Sequence, residues 1–316
     1  MATDILSTLV QLLNGIQFGF TLFLIASGLT VILGILDVLN LAHGELFAFG
    51  AYVSVSIYGY VVGAFIPPDP SGAGTLLFLV ALVLLSAVLA AAVLVPLGAI
   101  IEAVFLRPLY DRDEVYQLVL TFALLLIIFD LKQIVWGGGQ QTVISRVFSG
   151  VNQIPSLNLL GIRFPTYGFI AIVLGFVVVG WLFYFFNRTK SGRVIRATAI
   201  DREMATALGV STDRTFTLVF ALGAFLAGFA GAIFVPPTSA QLGMGAEPLV
   251  LSFVVIVIGG LGSLKGAFVG AIVVGVVRQF MGLQFPKLQL AAPFVLMIVV
   301  LLVKPEGLYG TWGERS

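Results

Sequence analysis

Asp37, Asn40, His43 and Glu45 fall within one short stretch, ILDVLNLAHGELFAFG, and bring together two carboxylates, an amide and an imidazole. Such a set could relay protons, bind a cation or orient a polar solute. A metal centre is excluded by count: His43 is the sole histidine and the chain has no cysteine, so no multi-histidine or thiolate ligand set can be assembled. A hydrolase built on His43 and Glu45 would need a nucleophile or a metal set at recognisable spacing, and none is evident. What remains is a polar break between two long apolar runs, flanked by Gly34 and Gly44. At membrane depth such a break must be buried in protein or line a wet cavity, and its ionisable groups would mark function. At the membrane surface it would be a hydrated turn. The residues alone leave both open.

Two other acidic residues interrupt apolar runs. Glu102 lies four residues after Gly98 and five before Arg107, and reads as hydrated near the end of a span. Asp130, just before Lys132, reads the same way near an opposite end. Proton relays favour several carboxylates in mid-span, which neither supplies.

A different chemistry is offered by residues 187–214, which hold Arg188, Lys190, Arg193, Arg196, Arg202 and Arg214. Within this loop, residues 197–208 are rich in Ala, Met and Leu, good helix formers, and Gly209 sits where a C-cap glycine would stop the helix. Ile200, Met204, Ala207 and Leu208 share one face at helical spacing. An apolar stripe on a short exposed helix suits either a partner surface or lipid headgroups. No nucleotide site accompanies it: GGLGSLKG, the one candidate glycine cluster, lacks phosphate-loop spacing.

The elements that must position these groups are membrane helices. Of 316 residues, 59% are hydrophobic and 10% charged, with a mean hydropathy of +1.12. A soluble domain carries about 25% charge, and a globule this poor in charge would aggregate in water. A net charge of +1 offers no field to draw nucleic acid. Apolar runs near the roughly 20 residues needed to cross a bilayer lie at 9–36, 45–66, 75–106, 116–136, 166–186 and 215–235. Shorter, Gly-interrupted runs follow at 249–261, 266–281 and 290–303. This predicts an all-α polytopic membrane protein of eight or nine hydrophobic helices, some Gly-interrupted or re-entrant, forming one unit over 1–316. The first run lacks a basic region before it and reads as a transmembrane helix, not a cleaved leader.

Lys and Arg accumulate in cytoplasmic loops, which places 187–214 inside and, with nine spans, the N-terminus outside. Residues 137–165, rich in Gly, Ser, Asn and Pro, then form the main external loop. A second break, Gly259, Gly260, Gly262 and Gly266, pairs in shape with the first, and paired interrupted helices point to a transporter's path. Gly15-x-x-x-Gly19 and Gly266-x-x-x-Gly270 also have the spacing of close helix packing.

The motifs together resemble one family. LNLAHGELFAFGAY is similar to the N-x-A-H-G-E…G-x-Y signature of permeases in high-affinity branched-chain amino acid ABC importers, here Asn40, Ala42, His43, Gly44, Glu45, Gly50 and Tyr52. GRVIRATAIDREMATALGV and VVIVIGGLGSLKGAFVGA resemble that family's loop and late glycine motifs. Glu203 to Gly209 is similar to the E-A-A-x-x-x-G coupling segment of importer permeases, with Met204 where Ala is usual and without the distal I-x-L-P.

The resemblance implies a permease without catalytic activity, cofactor or metal of its own, sitting in the cell membrane. It implies a second homologous permease subunit, two cytoplasmic ATPases carrying ATP and magnesium, and an extracytoplasmic substrate-binding protein. Arg196, Asp201, Arg202, Glu203, Ala205 and Gly209 would belong to ATPase coupling. Asn40, His43, Glu45, Gly259 and Gly260 would line or brace the path for a branched-chain or other neutral amino acid. A urea or short-amide permease on the same scaffold and a stand-alone secondary transporter are the alternatives.

Overall fold

A computed structural model describes residues 2–65, 73–142, 156–159 and 162–310. It begins with a long helix, α1 (Ala2–Leu36), whose window from Thr8 onward is apolar on every side and largely enclosed. A helix without a polar face must be buried by others. Here α5 (Thr166–Arg188), α8 (Thr212–Phe234), α9 (Ala246–Gly259) and α10 (Leu264–Gln284) surround it. Around this group lie α2 (His43–Phe65), α3 (Ala73–Ile100), α4 (Glu114–Trp136) and α11 (Ala292–Val303). Two short helices, α6 (Lys190–Ile200) and α7 (Arg202–Ala207), stand between α5 and α8. The fold is all-α and multi-pass, as its apolar runs require. Six of its helices are long and apolar enough to cross a bilayer among the described residues.

Small residues set the packing. A Cβ at Gly275 would fall 2.4 Å from the Gly15 carbonyl, and one at Gly50 would fall 2.4 Å from Gly228 Cα. Gly15 and Gly19 thus serve the α1–α10 contact, as their spacing suggests.

α10 runs antiparallel to α1, with Gly34 beside Gly262 and Gly19 beside Ala271. The bundle therefore has a basic end, where α1 finishes and α6–α7 sit, and an opposite far end. α3 approaches the basic end through Pro96, which cannot supply a helical N–H. It then widens into a π-turn (Ile101–Leu106) and a 3-10 turn (Arg107–Leu109).

The far loop holds a small antiparallel hairpin, β1 (Ser156–Leu159) with β2 (Ile162–Pro165), beside the helical bundle. Two expectations are corrected. The helix expected over 197–208 is two helices, because Asp201 leaves helical geometry and caps the second, its Oδ1 accepting from Met204 N at 2.8 Å. Glu102 is not hydrated: it is fully buried, as is Lys132, the residue two after Asp130. Lys132 pairs with Glu45 on α2, and Glu102 is closed in by Arg107, five residues on, and by Thr217 of α8. Asp130, by contrast, is exposed.

Candidate functional site

The first break folds back into the helical bundle. α1 ends at Leu36, and Asp37 adopts a left-handed backbone (φ 53°) that turns the chain back on itself. Asp tolerates this region better than most residues. The chain then retraces α1: His43 Nε2 lies 3.0 Å from the Ile25 carbonyl. Eleven helical residues separate Ile25 from Leu36, so α2 begins roughly 16 Å back inside the bundle. A carbonyl can only accept, so the neutral imidazole donates from Nε2. Its Nδ1 is buried without a partner, as are both amide atoms of Asn40.

Glu45, in the first turn of α2, faces the other way. Its carboxylate is ion-paired with the Lys132 ammonium on α4, and both side chains are sealed from solvent. Lys132 Nζ also sits 5.6 Å from the ring centroids of Tyr52 and Phe129. Further along, Trp136 Nε1 donates to Ser56 Oγ at 2.6 Å, and Thr121 Oγ1 donates to the Leu39 carbonyl at 3.1 Å. His43 and Glu45 thus clamp the start of α2 to two different neighbours, α1 and α4.

The helix start that faces this one is that of α9. A Cβ at Gly44 would fall 2.4 Å from the Gly245 carbonyl, and a Cβ at Gly245 only 2.0 Å from the Gly44 carbonyl. Only glycine lets the two backbones touch. α8 ends toward the far end, the chain re-enters over residues 235–245, and α9 starts in the middle and runs to the basic end. The break that pairs with the first is therefore 235–245. Gly259 and Gly260 lie elsewhere: Gly259 packs against Gly266 in the turn to α10, and Gly260 packs against Gly310. α9 is 14 residues long, which sets Gly259 about 20 Å from Gly245. The structure does not bring these two glycines together with Asn40, His43 and Glu45.

At the basic end the expected apolar stripe is split between two helices but still faces outward: Ile200 ends α6, Met204 lies on α7 and Leu208 is its C-cap. Ile200, Met204 and Leu208 are 81%, 57% and 78% exposed, while Ala205 is buried. Gly209 (φ +85°) closes the helix, and Val210 N donates to the Ala205 carbonyl at 3.0 Å. Asp201 caps its start, Glu203 is exposed, and Arg196 lies on α6, bonded to Asn187 Oδ1 at 3.0 Å.

A network absent from the sequence reading ties α7 to α3. The Arg202 guanidinium lies 4.7 Å from the Phe216 ring centroid on α8, and Phe216 meets Tyr110 edge-to-face at 5.3 Å. Tyr110 donates to Glu102 Oε1 at 3.1 Å; Arg107 and Thr217 donate to Oε2 at 3.0 and 2.6 Å. Burial, with the neighbouring Glu102 carboxylate, pushes the Tyr110 hydroxyl well above its ordinary pKa and keeps it a donor. Glu102 sits on the π-turn, a geometry that recurs at functional sites. The signal for both missed residues was available: each carboxylate inside an apolar run needs a cation, and Lys132 and Arg107 were the candidates.

No group of three His, Asp or Glu side chains able to hold a metal occurs among the described residues.

Residues 11–301 match the family model described as branched-chain amino acid transport system / permease component. The chain is 29% identical over 98% of both chains to LivH, a high-affinity branched-chain amino acid transport system permease protein of Salmonella typhimurium (strain LT2). It is 28% identical over 98% of both to Escherichia coli (strain K12) LivH, and 29% over 97% of both to Pseudomonas aeruginosa BraD, which carry the same description. No solved structure matches.

Proposed function

The chain belongs to the branched-chain amino acid transport system permease family, and from that premise we propose that it is the membrane-spanning permease subunit of an ATP-driven importer of branched-chain amino acids. The observation that carries the ATP-driven part is α7. A short helix capped at both ends, with Met204 and Leu208 turned outward next to Ile200 at the end of α6 and a cluster of arginines, suits docking on a soluble partner. ATP is bound by that partner, an ATPase carrying magnesium, since this chain offers no phosphate loop.

Two such permeases, identical or homologous, form the path, and two ATPases dock on their α7 helices. A substrate-binding protein outside delivers the amino acid. The arginines around α7 set the basic end in the cytoplasm, and the N-terminus outside the cell membrane. Domain 1–316 works as one transmembrane unit, and His43 and Glu45 brace the start of α2 beside the path, next to Asn40. Coupling requires a two-state element biased by nucleotide. The line from Arg202 through Phe216 and Tyr110 to Glu102 connects α7 with α3 and is that element's basic-end joint.

Co-purification of the ATPase with this chain, and loss of labelled leucine uptake when ATP is withheld from vesicles, test the reading. Uptake driven by an ion gradient without ATP would overturn it in favour of a secondary transporter.

A further inference from the structure

Three spanning helices have their ends together at the basic end: α1 finishes at Leu36 and α5 at Arg188, and α10 starts at Leu264. Between them, with α6 alongside, lies a cavity of ≈ 220 Å³. Val31, Ile35, Phe183, Phe186, Ile195 and Leu264 give it apolar walls, while Arg196 on α6 and Lys265 on α10 give it two cations. No acidic side chain lines it among the described residues.

Neither cation is neutralised: Arg196 and Lys265 form no ion pair among the described residues. Arg196 donates from one terminal nitrogen to Asn187 Oδ1, a neutral acceptor, and a guanidinium has five N–H donors. The start of α10 adds to the field. Ser263 Oγ accepts from Gly266 N at 3.1 Å, whereas the N–H groups of Leu264 and Lys265 have no carbonyl of their own helix to reach. Such a helix start favours an anion. Depth limits the source of that anion. Trp181 and Tyr184 are exposed near the end of α5, as aromatic residues are where acyl chains give way to headgroups. Polar and charged residues begin just beyond them, at Asn187 and Arg188.

We propose that this cavity binds the phosphodiester of an anionic phospholipid from the leaflet at the basic end. Two cations without a counter-ion select the charge, apolar walls select a ligand with chains, and the headgroup level of the bilayer supplies a molecule with both. The phosphate oxygens accept from the Arg196 guanidinium and the Lys265 ammonium. The glycerol and first methylenes lie against Ile35, Phe183 and Leu264. A water molecule's share of liquid is about 30 Å³, so the cavity takes the phosphodiester with the start of its chains, and the chains continue outside along the helices. The lipid fastens α6, which leads directly into α7, to α1 and α10. The site is independent of which solute crosses the membrane.

The test counts bound lipid by native mass spectrometry on the delipidated full-length chain in detergent, with any subunits that co-purify. Three probes are titrated: dioctanoyl phosphatidylglycerol, dioctanoyl phosphatidylcholine, and glycerophosphoglycerol, which is the first headgroup without its chains. Phosphatidylglycerol binds once per chain, about fivefold or more tighter than phosphatidylcholine, and glycerophosphoglycerol does not displace it. Arg196→Gln and Lys265→Gln each weaken phosphatidylglycerol about fivefold and R196Q/K265Q about twentyfold, while Lys265→Arg retains it. Equal affinity for the two lipids, or wild-type affinity in the double variant, would overturn the proposal. Glycerophosphoglycerol or inorganic phosphate binding as tightly as the lipid would make this a site for a soluble anion and overturn it as well. If the charge variants fail to fold, the three probes on the wild type decide.

Discussion

The carboxylate of Glu45 and the ammonium of Lys132, from helices distant in sequence, form an ion pair closed to solvent at the level where α2 begins. Removing one partner of a buried pair leaves a charge with no water and no counter-ion, which costs about 3–5 kcal/mol, whereas removing both is often neutral. Lys132→Met should therefore lower the melting temperature of the detergent-purified protein strongly, and Glu45→Gln/Lys132→Met should recover most of the loss. Non-recovery in the double variant would argue against the pair as the brace of α2.

Glu45→Gln alone should impair uptake while leaving ATPase docking intact, because the change acts at the start of α2 and not at α7. Parallel uptake and pull-down measurements on the same preparation check this. Unchanged transport would remove Glu45 from the path and its supports.

Gly245→Ala would set a methyl group 2.0 Å from the Gly44 carbonyl. Overpacking of this kind costs about 1–3 kcal/mol or more, here between two backbones with no side chain to give way. Expression and monodispersity on size exclusion should both fall, and Gly209→Ala, with nothing near its Cβ but a left-handed backbone, should be milder on packing.

On α7, Leu208→Asp should abolish capture of the ATPase with little change in the protein's own melting temperature, since the side chain is exposed. Asp201→Ala removes a cap worth about 1 kcal/mol and should weaken coupling more than docking. ATPase activity in the complex, measured with and without substrate-loaded binding protein, separates the two.

Tyr110 supplies a pH prediction. Burial, and then the Glu102 carboxylate, raise its pKa in the folded state. A group with a raised folded pKa adds stability that is fully present below the unfolded value, about 10 for tyrosine, and is lost as pH rises toward the folded value. The melting temperature should thus gain nothing from Tyr110 between pH 6 and 9 that varies with pH, and should drop above about pH 10 by more in wild type than in Tyr110→Phe.

The spans were legible because apolar runs of membrane length leave few alternatives, and the end of α7 was legible because Gly209 has one conventional use. Depth was not. Nothing in ILDVLNLAHGELFAFG states that the chain runs back along α1 to Ile25 before starting α2; that follows from a hydrogen bond between distant residues. The second break was misplaced for a related reason. GGLGSLKG carries the denser glycine signal but makes an ordinary turn, whereas the single Gly245 sits where two helices abut. Lys132 and Glu102 were read by their neighbours in the chain, and their real environments come from other helices.

The contact between Gly44 and Gly245 has a mechanical consequence. Two backbones touching with no side chain between them can pivot about that point, but they cannot slide without collision or separate without opening a void. α2 extends from it toward one membrane face and α9 toward the other. A tilt of either helix about this contact swings its outer end at its own face while the junction stays in place, so the glycine pair acts as a fixed hinge between two arms that reach opposite faces.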